Sequence, residues 1–319
     1  MRILKESEFR SIEQLVSLNQ EELHACMVSY LNAKYKNVIT TKEYICAEGD
    51  IPIALVAHMD TVFSFPPDDV FYDPRRGVLW SPDGLGADDR AGIYAIIEIL
   101  KTGLRPHIIF TTDEEKGCIG ATALSKYACP FKELKFMIQL DRRGVCDCVF
   151  YDCYNPKFIR YIEDFGFVEA QGSFSDISTL CPAWQVCGVN LSVGYENEHS
   201  YQETLNINHL WATIKKVINI LSASDYPDFE YNQVKRAHFS YLYEPKVDEV
   251  VCPVCHKVFA EYDTFPVKGL DNTTKHYCID CIAESTNIEW CARCGEAYEV
   301  DTTDPFCICN DCLEGYYYQ

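Results

Sequence analysis

A chain of 319 residues, 48% hydrophobic and 24% charged, has ordinary globular composition and is long enough for one sizeable domain and a small second one. Its formal net charge of −20 argues against nucleic acid, whose binding needs Lys and Arg to displace counterions from phosphates. The opening MRILKESEFR lacks the apolar core of a signal peptide and no run of about 18 apolar residues suggests a membrane span, so the expected location is the cytoplasm, with the 18 cysteines free or on metal.

In chain order, NQEELHACMVSYL at 19–31 opens with an Asn19 to Glu22 capping-box pattern. Leu23, Cys26, Met27, Tyr30 and Leu31 then recur at helical spacing, which predicts an amphipathic helix with His24 off the apolar stripe and solvated. Residues 43–48 and 52–57 read as strands separated by a turn at Gly49 and Asp50. The apolar run Ala54 to Ala57 is the kind of strand that a parallel sheet covered on both faces requires, and it ends abruptly in His58 and Asp60. Ligands and catalytic groups of open α/β sheets gather outside the carboxyl ends of the strands, which is where His58 stands.

Residues 62–83 are rich in Pro and Asp, with a hairpin turn at Arg76 and Gly77, and lead into GLGADDRAG at 84–92. An apolar stretch from Ile93 to Leu100 follows, so Asp88 and Asp89 fall in the first turn of a buried helix, where the positive end of the helix dipole suits carboxylates. His107 to Thr112, Phe136 to Leu140 and Val186 to Val193 read as three more apolar strands. The first runs into Asp113, Glu114 and Glu115, the second into Asp141, and the third into GYENEH and His199. Four strands that each end in a metal-type residue are poorly explained as unrelated solvated strand ends. In SFSDIS at 173–178, Asp176 reads as a helix cap. Residues 206–221 place Ile207, Leu210, Trp211, Ile214, Val217, Ile218 and Leu221 on one face, which predicts a helix that closes the domain.

The resulting fold is α/β, a three-layer sandwich with a mostly parallel central sheet, followed by a small zinc-stabilised C-terminal domain. His58, Asp88, Glu115, Asp141 and His199 are two imidazoles and three carboxylates, a borderline-hard donor set that suits zinc. Two ions sharing one bridging carboxylate would use all five.

In combination and in order, an apolar strand with His-x-Asp, then Gly-Ala-Asp-Asp-basic-Ala-Gly, a Glu-Glu pair, Asp and His resemble the co-catalytic di-zinc exopeptidases, which include leucyl aminopeptidases and peptidase T. The resemblance runs from residue 54 to 199. It implies that Asp88 bridges two zinc ions, with His58 and Asp141 completing one site and Glu115 and His199 the other. It also implies that Glu114 is the general base and that Asp60 orients His58. Two departures are informative. The short spacing from Asp141 to His199 leaves no room for an inserted dimerisation domain, and Arg142 and Arg143 stand where relatives often carry small residues; either could hold a substrate carboxylate if it reaches the cleft, though a solvated salt bridge is the simpler role.

After residue 251 the chemistry changes. Cys252 and Cys255, Cys278 and Cys281, Cys291 and Cys294, and Cys309 and Cys312 are four Cys-x2-Cys pairs, each half of a tetrahedral thiolate site, so two structural zincs are expected. Sequential pairing, first with second and third with fourth, is preferred over an interleaved cross-brace; Cys307, His256 and His276 are alternative ligands. Residues 252–319 hold four Lys and Arg against twelve Asp and Glu, which again disfavours nucleic acid and fits a stabilising or protein-contact role.

Together these features predict a catalytic domain at 1–222, a polar, turn-rich connector at 223–250 and a cysteine-rich module at 251–319. The expected activity is that of a zinc metallopeptidase removing N-terminal residues from peptides, with water activated by the metals. An N-acyl amino acid deacylase could use the same donors. An inactive scaffold that binds a protein partner through the zinc module would have no need of Glu114, since by the resemblance Glu114 is not a ligand.

Overall fold

A computed structural model describes residues 6–233 and, further on, residues 249–260, 264–271, 273–278, 281–282, 285, 287–290 and 297–300. The chain divides into two compact units, Met1–Arg236 and Ala237–Gln319.

The first unit is built on an eight-stranded sheet in the order Asn37–Thr40, Tyr44–Glu48, Pro106–Thr111, Ile51–His58, Phe136–Arg142, Cys187–Ser192, Asp147–Val149, Val168–Glu169. The four central strands are mutually parallel and the flanking pairs are mainly antiparallel, so the apolar runs read from the sequence occupy the middle of the sheet. Alternation divides each central strand between two cores. Leu55 and Ala57 pack with the helices Ala87–Lys101 and Ile207–Leu221, whereas Ala54 and Val56 pack with Ile119–Ser125 and Asp176–Trp184. Because both faces are covered, every residue of Ile53 to His58 is buried, which is why this strand carries no polar residue before its end. The three layers match the expected architecture.

Local signals behave as their chemistry requires. Asn19 and Glu22 form the reciprocal capping box at the start of Gln20–Asn32. His24, expected to be solvated, instead bonds the Thr41 carbonyl at 2.7 Å. The turn at Arg76 and Gly77 joins Phe71–Asp73 to Val78–Trp80, and these strands form a separate antiparallel sheet with Thr204–Asn206 and Tyr195–Glu196. The closing helix Ile207–Leu221 buries Ile207, Leu210, Ile214, Val217 and Leu221, with Trp211 and Ile218 partly buried against the same core.

The connector expected from residue 223 does not begin there. Tyr226, Phe229 and Tyr231 pack against the first unit, and Phe229 lies among the rings of Phe136, Phe158 and Tyr161 at centroid distances of 5.9, 5.0 and 5.4 Å. Backbone bonds from Tyr154 to Asn232 and from the Asn155 side chain to Glu230 fasten the same segment. Its aromatic residues are core residues, although the surrounding Ser, Asp, Pro and Asn give it the composition of a loop.

In the second unit, Glu249–Val251 pairs with Val258–Ala260, and Phe265–Lys268 pairs with Thr274–Tyr277 and with Ala297–Glu299. Among its described residues, Val267, Tyr277 and Ala297 form an apolar cluster, with Ile282 and Ile288 packed on them. Among the described residues, no helix is long and apolar enough to cross a membrane.

Candidate metal centre

The carboxyl ends of the parallel strands deliver the predicted residues to one place. His58 ends its strand, Asp141 is the penultimate residue of Phe136–Arg142, and Glu114 and Glu115 follow Pro106–Thr111 directly. His199 comes from the loop between Tyr195–Glu196 and Thr204–Asn206.

Asp88 is the centre of the arrangement. Its Oδ1 lies 3.1 Å from His58 Nε2, which is itself 3.6 Å from Asp141 Oδ1. Its Oδ2 lies 3.3 Å from His199 Nε2, which is 2.9 Å from Glu115 Oε1. One carboxylate thus presents its two oxygens to two separate imidazoles, each accompanied by a second carboxylate. The sets His58, Asp88, Asp141 and Asp88, Glu115, His199 each hold their ligand atoms within 4.8 Å of one another, as does a third set of His58, Glu114 and Glu115.

The placement of Asp88 and Asp89 differs from the helix-dipole expectation. Both lie within Ala87–Lys101 as bounded, yet their backbones are not helical (φ −81°, ψ 107° and φ −112°, ψ 39°), and the peptide between them is cis. Asp89 caps the regular helix that follows, accepting from Gly92 N at 2.9 Å, and accepts from His58 N at 3.2 Å through its other oxygen. Gly92 is required by contact, since a Cβ there would stand 2.1 Å from the Leu140 carbonyl. Arg90, the basic residue of the motif, is buried and ties the helix to the Met59 and Leu18 carbonyls at 2.6 and 2.9 Å.

Asp60 accepts from His58 Nδ1 at 3.2 Å and from the backbone N–H groups of Glu114 and Glu115 at 2.9 and 3.0 Å. Burial works to raise its pKa, but these bonds outweigh it and hold the carboxyl at about 2. It therefore orients the imidazole and the Glu114–Glu115 turn together. Glu114 behaves oppositely, because burial, reinforced by the charges of Asp141, Asp176 and Glu115, pushes it up to about 9.

Several residues around the centre carry no sequence signal. Asp141 is gripped by Ser175 Oγ at 2.8 Å, Gln139 Nε2 at 3.0 Å and Tyr195 Oη at 3.1 Å, and its backbone exchanges bonds with the Asn190 side chain. Glu203 accepts from the Asp88 and Ala87 N–H groups. Only their neighbourhood to SFSDIS and GYENEH could have flagged Ser175, Tyr195 and Glu203. Asp176 is not the cap expected of it: Ser175 caps the helix, while Asp176 is fully buried and bonded to Thr111 Oγ1 at 2.6 Å.

A cleft of about 120 Å³ opens onto these groups, lined by Asp88, Glu114, Glu115, Asp141 and His199 together with Arg142, Arg143, Tyr151, Phe174 and Glu198. Arg143 is half exposed and pairs with Glu198 at 2.9 Å, in keeping with the solvated bridge expected of it. Arg142 is tied back to the Gln171 carbonyl and Asp147.

The donor chemistry fits divalent metal. Imidazole nitrogen with carboxylate oxygen is a zinc-type set, and bonds of about 2.0–2.2 Å to one ion suit donor atoms this close together. The charge fits as well, because burial and the neighbouring Asp141 raise the pKa of Asp88, a strain that positive charge at this point relieves.

Sequence comparison converges on the same span. Residues 37–156 match peptidase family M28. The matched segment carries His58, Asp60, Asp88, Glu114, Glu115 and Asp141. Solved structures share its fold. A tripeptidase from Staphylococcus aureus is 14% identical with a TM-score of 0.55, and the aminopeptidase PepT from Bacillus cereus is 16% identical with a TM-score of 0.52; each match covers 69% of this chain and 98% of the other. A TET aminopeptidase from a marine sediment thaumarchaeote is 13% identical over the same shares, with a TM-score of 0.51. No curated protein matches the chain.

In the second unit, Cys252, Cys255, Cys278 and Cys281 bring their four sulfurs within 4.8 Å of one another, the sequential pairing of the first two Cys-x2-Cys units. His276 is instead bonded to Thr264 Oγ1 at 3.0 Å. Cys291, Cys294, Cys307, Cys309 and Cys312 lie outside the described residues.

Proposed function

We propose that the first unit is a zinc-dependent aminopeptidase hydrolysing N-terminal peptide bonds. The observation that carries this reading is Asp88, whose two oxygens face two imidazole–carboxylate pairs. In this reading His58, Asp88 and Asp141 hold one ion and Asp88, Glu115 and His199 the other. Two divalent ions bound there supply Lewis acidity to a carbonyl and lower the pKa of water towards neutrality.

The protein's own groups do the rest. Glu114 lines the cleft, buried from bulk water, and is the group that takes a proton from the attacking water at its carboxylate and returns it to the leaving amine. Asp60 keeps the His58 ring and the Glu114 backbone in register with each other. Ser175, Gln139 and Tyr195 fix the Asp141 carboxylate in one orientation. Glu198 lines the cleft with one buried oxygen unpartnered, and it suits the free α-ammonium group of a peptide. The aminopeptidase neighbours, though similar in fold only, act in the same sense.

The second unit is proposed to hold structural zinc on Cys252, Cys255, Cys278 and Cys281, and a fourth zinc on Cys291, Cys294, Cys309 and Cys312. A cytoplasmic location follows from this thiol chemistry.

The deciding experiment is hydrolysis of free peptides, the same peptides N-acetylated, and N-acetyl amino acids by the zinc-loaded protein. Release of the N-terminal residue from free peptides alone is expected. Preferential cleavage of N-acetyl amino acids would replace the aminopeptidase by a deacylase, and turnover of none of them would remove the enzymatic reading.

A further inference from the structure

The loop that brings His199 to the centre returns to it four residues later. Asn197 and His199 both have positive φ, and Ser200 closes the turn by donating to the Asn197 carbonyl at 2.8 Å and accepting from Glu203 N at 3.0 Å. This geometry sends the His199 ring to the Asp88 and Glu115 carboxylates on one side. On the other it sends Glu203 inward, where it is 1% exposed. Glu203 Oε1 accepts from Asp88 N at 3.0 Å and Oε2 from Ala87 N at 3.1 Å, and the Gly86 N–H also bonds this carboxylate.

A buried carboxylate is costly unless hydrogen bonds compensate it, and here the compensation comes from consecutive backbone N–H groups. Asp89 already caps the regular helix, so the N–H groups of Gly86, Ala87 and Asp88 that Glu203 binds belong to the stretch before it, where Asp88 and Asp89 are not helical. The residue that binds them is 115 positions away from Asp88 and on the same short loop as His199. Asp88 is therefore held to that loop twice, by its side chain towards His199 and by its backbone towards Glu203.

We infer that Glu203 is a positioning residue that sets the separation of Asp88 and His199, and with it the affinity of the Asp88, Glu115 and His199 set for metal. The inference rests on the ligand assignment proposed above. Only a carboxylate serves, because it offers two acceptor oxygens to donors on both sides. Gln would turn an NH₂ group towards a backbone N–H, and Asp would be too short to reach the whole set.

The test uses the full-length protein, stripped of metal and titrated with Zn²⁺ against a competing chelator, with the absorption spectrum of the Co²⁺-loaded protein as a second readout. For Glu203→Gln, the zinc assigned to Asp88, Glu115 and His199 is expected to lose about 10- to 100-fold in affinity, as for other groups that orient metal ligands. Its cobalt spectrum should change, Glu203→Asp should recover part of the affinity, and Glu203→Gln should add little to the loss already caused by His199→Ala. A Glu203→Gln protein that binds zinc like the parent, with the parent's cobalt spectrum and only a lower melting temperature, would reduce Glu203 to a stabiliser of that backbone and overturn the inference. If Glu203→Gln does not fold, Glu203→Asp decides by the same readouts. The ligand assignment fails separately, and the inference with it, if His58→Ala and His199→Ala leave the zinc content of the parent unchanged.

Discussion

Asp60 and Glu114 lie side by side past the ends of two adjacent parallel strands, yet their surroundings drive them apart. Asp60 receives two backbone N–H bonds and an imidazole and stays ionised, at about 2. Glu114 is buried among other carboxylates, with only the Cys118 thiol donating to it, and rises to about 9. Without metal Glu114 therefore keeps its proton; divalent ions at the neighbouring donors would lower its pKa and free the carboxylate to accept one from water, while Asp60 stays a fixed charge. Glu114→Gln is therefore expected to lower kcat by about 10²–10⁴-fold while leaving zinc content at the cluster near the parent value, as metal analysis and steady-state kinetics would show. Turnover at the parent rate would rule out proton transfer by Glu114. Asp60→Asn should differ by weakening zinc binding as well, because it disturbs the His58 ring and the Glu115 backbone together.

At the scale of elements, a polar residue inside a strand and a segment that looks like a connection are both structural. His107 begins the strand Pro106–Thr111, stacks on Phe131 with centroids 4.2 Å apart, accepts from Gly49 N and donates to the Glu133 carbonyl. These bonds require the neutral ring, and burial lowers its pKa below the ordinary value. The stability it contributes is thus fully present above the unfolded-state pKa, about 6.5, and is lost as pH falls through the depressed folded value. The melting temperature of His107→Gln should fall less steeply than that of the parent on acidification from about pH 6.5 down through the depressed value, and parallel curves would contradict the assignment. The aromatic segment after Ile207–Leu221 is the second case. Removing the Phe229 ring from its cluster by Phe229→Ala should cost about 2–3 kcal/mol, measurable by urea unfolding, whereas a solvated connector would lose nothing.

For the whole molecule, the described residues of the second unit contribute an apolar cluster of Val267, Tyr277 and Ala297, against two extensive cores in the first unit, so the proposed thiolate zinc is expected to hold the second unit in order. Graded chelation should accordingly remove the ions of the carboxylate–imidazole cluster first, abolishing hydrolysis before the second unit unfolds. Activity that survives until the thiolate zincs are lost would contradict this order. A chain ending at residue 236 should fold and keep its hydrolytic centre, and one ending at residue 222 should aggregate, because it exposes the surface covered by Tyr226, Phe229 and Tyr231. Solubility and zinc content of the two truncated chains distinguish these outcomes.

Periodicity and end residues were enough to read the central sheet, the helix that closes it and the placing of His58, Glu115 and Asp141 at or just past strand ends, because a buried parallel strand must be apolar and must place its polar residues where it stops. The four cysteine pairs were legible for a similar reason, since chelation requires a fixed local spacing. What the sequence could not show is everything that depends on distant backbone. Glu203 meets Asp88 N, Ser175 and Tyr195 meet Asp141, and the two oxygens of Asp88 separate towards His58 and His199 only after the chain has folded. The same holds for Asp88 and Asp89, where the helical pattern of the residues after them suggested a regular first turn. Tertiary contacts overrode it: Asp89 is bound to His58 N and Gly92 N, and Asp88 is drawn to both imidazoles, a conformation no local propensity encodes.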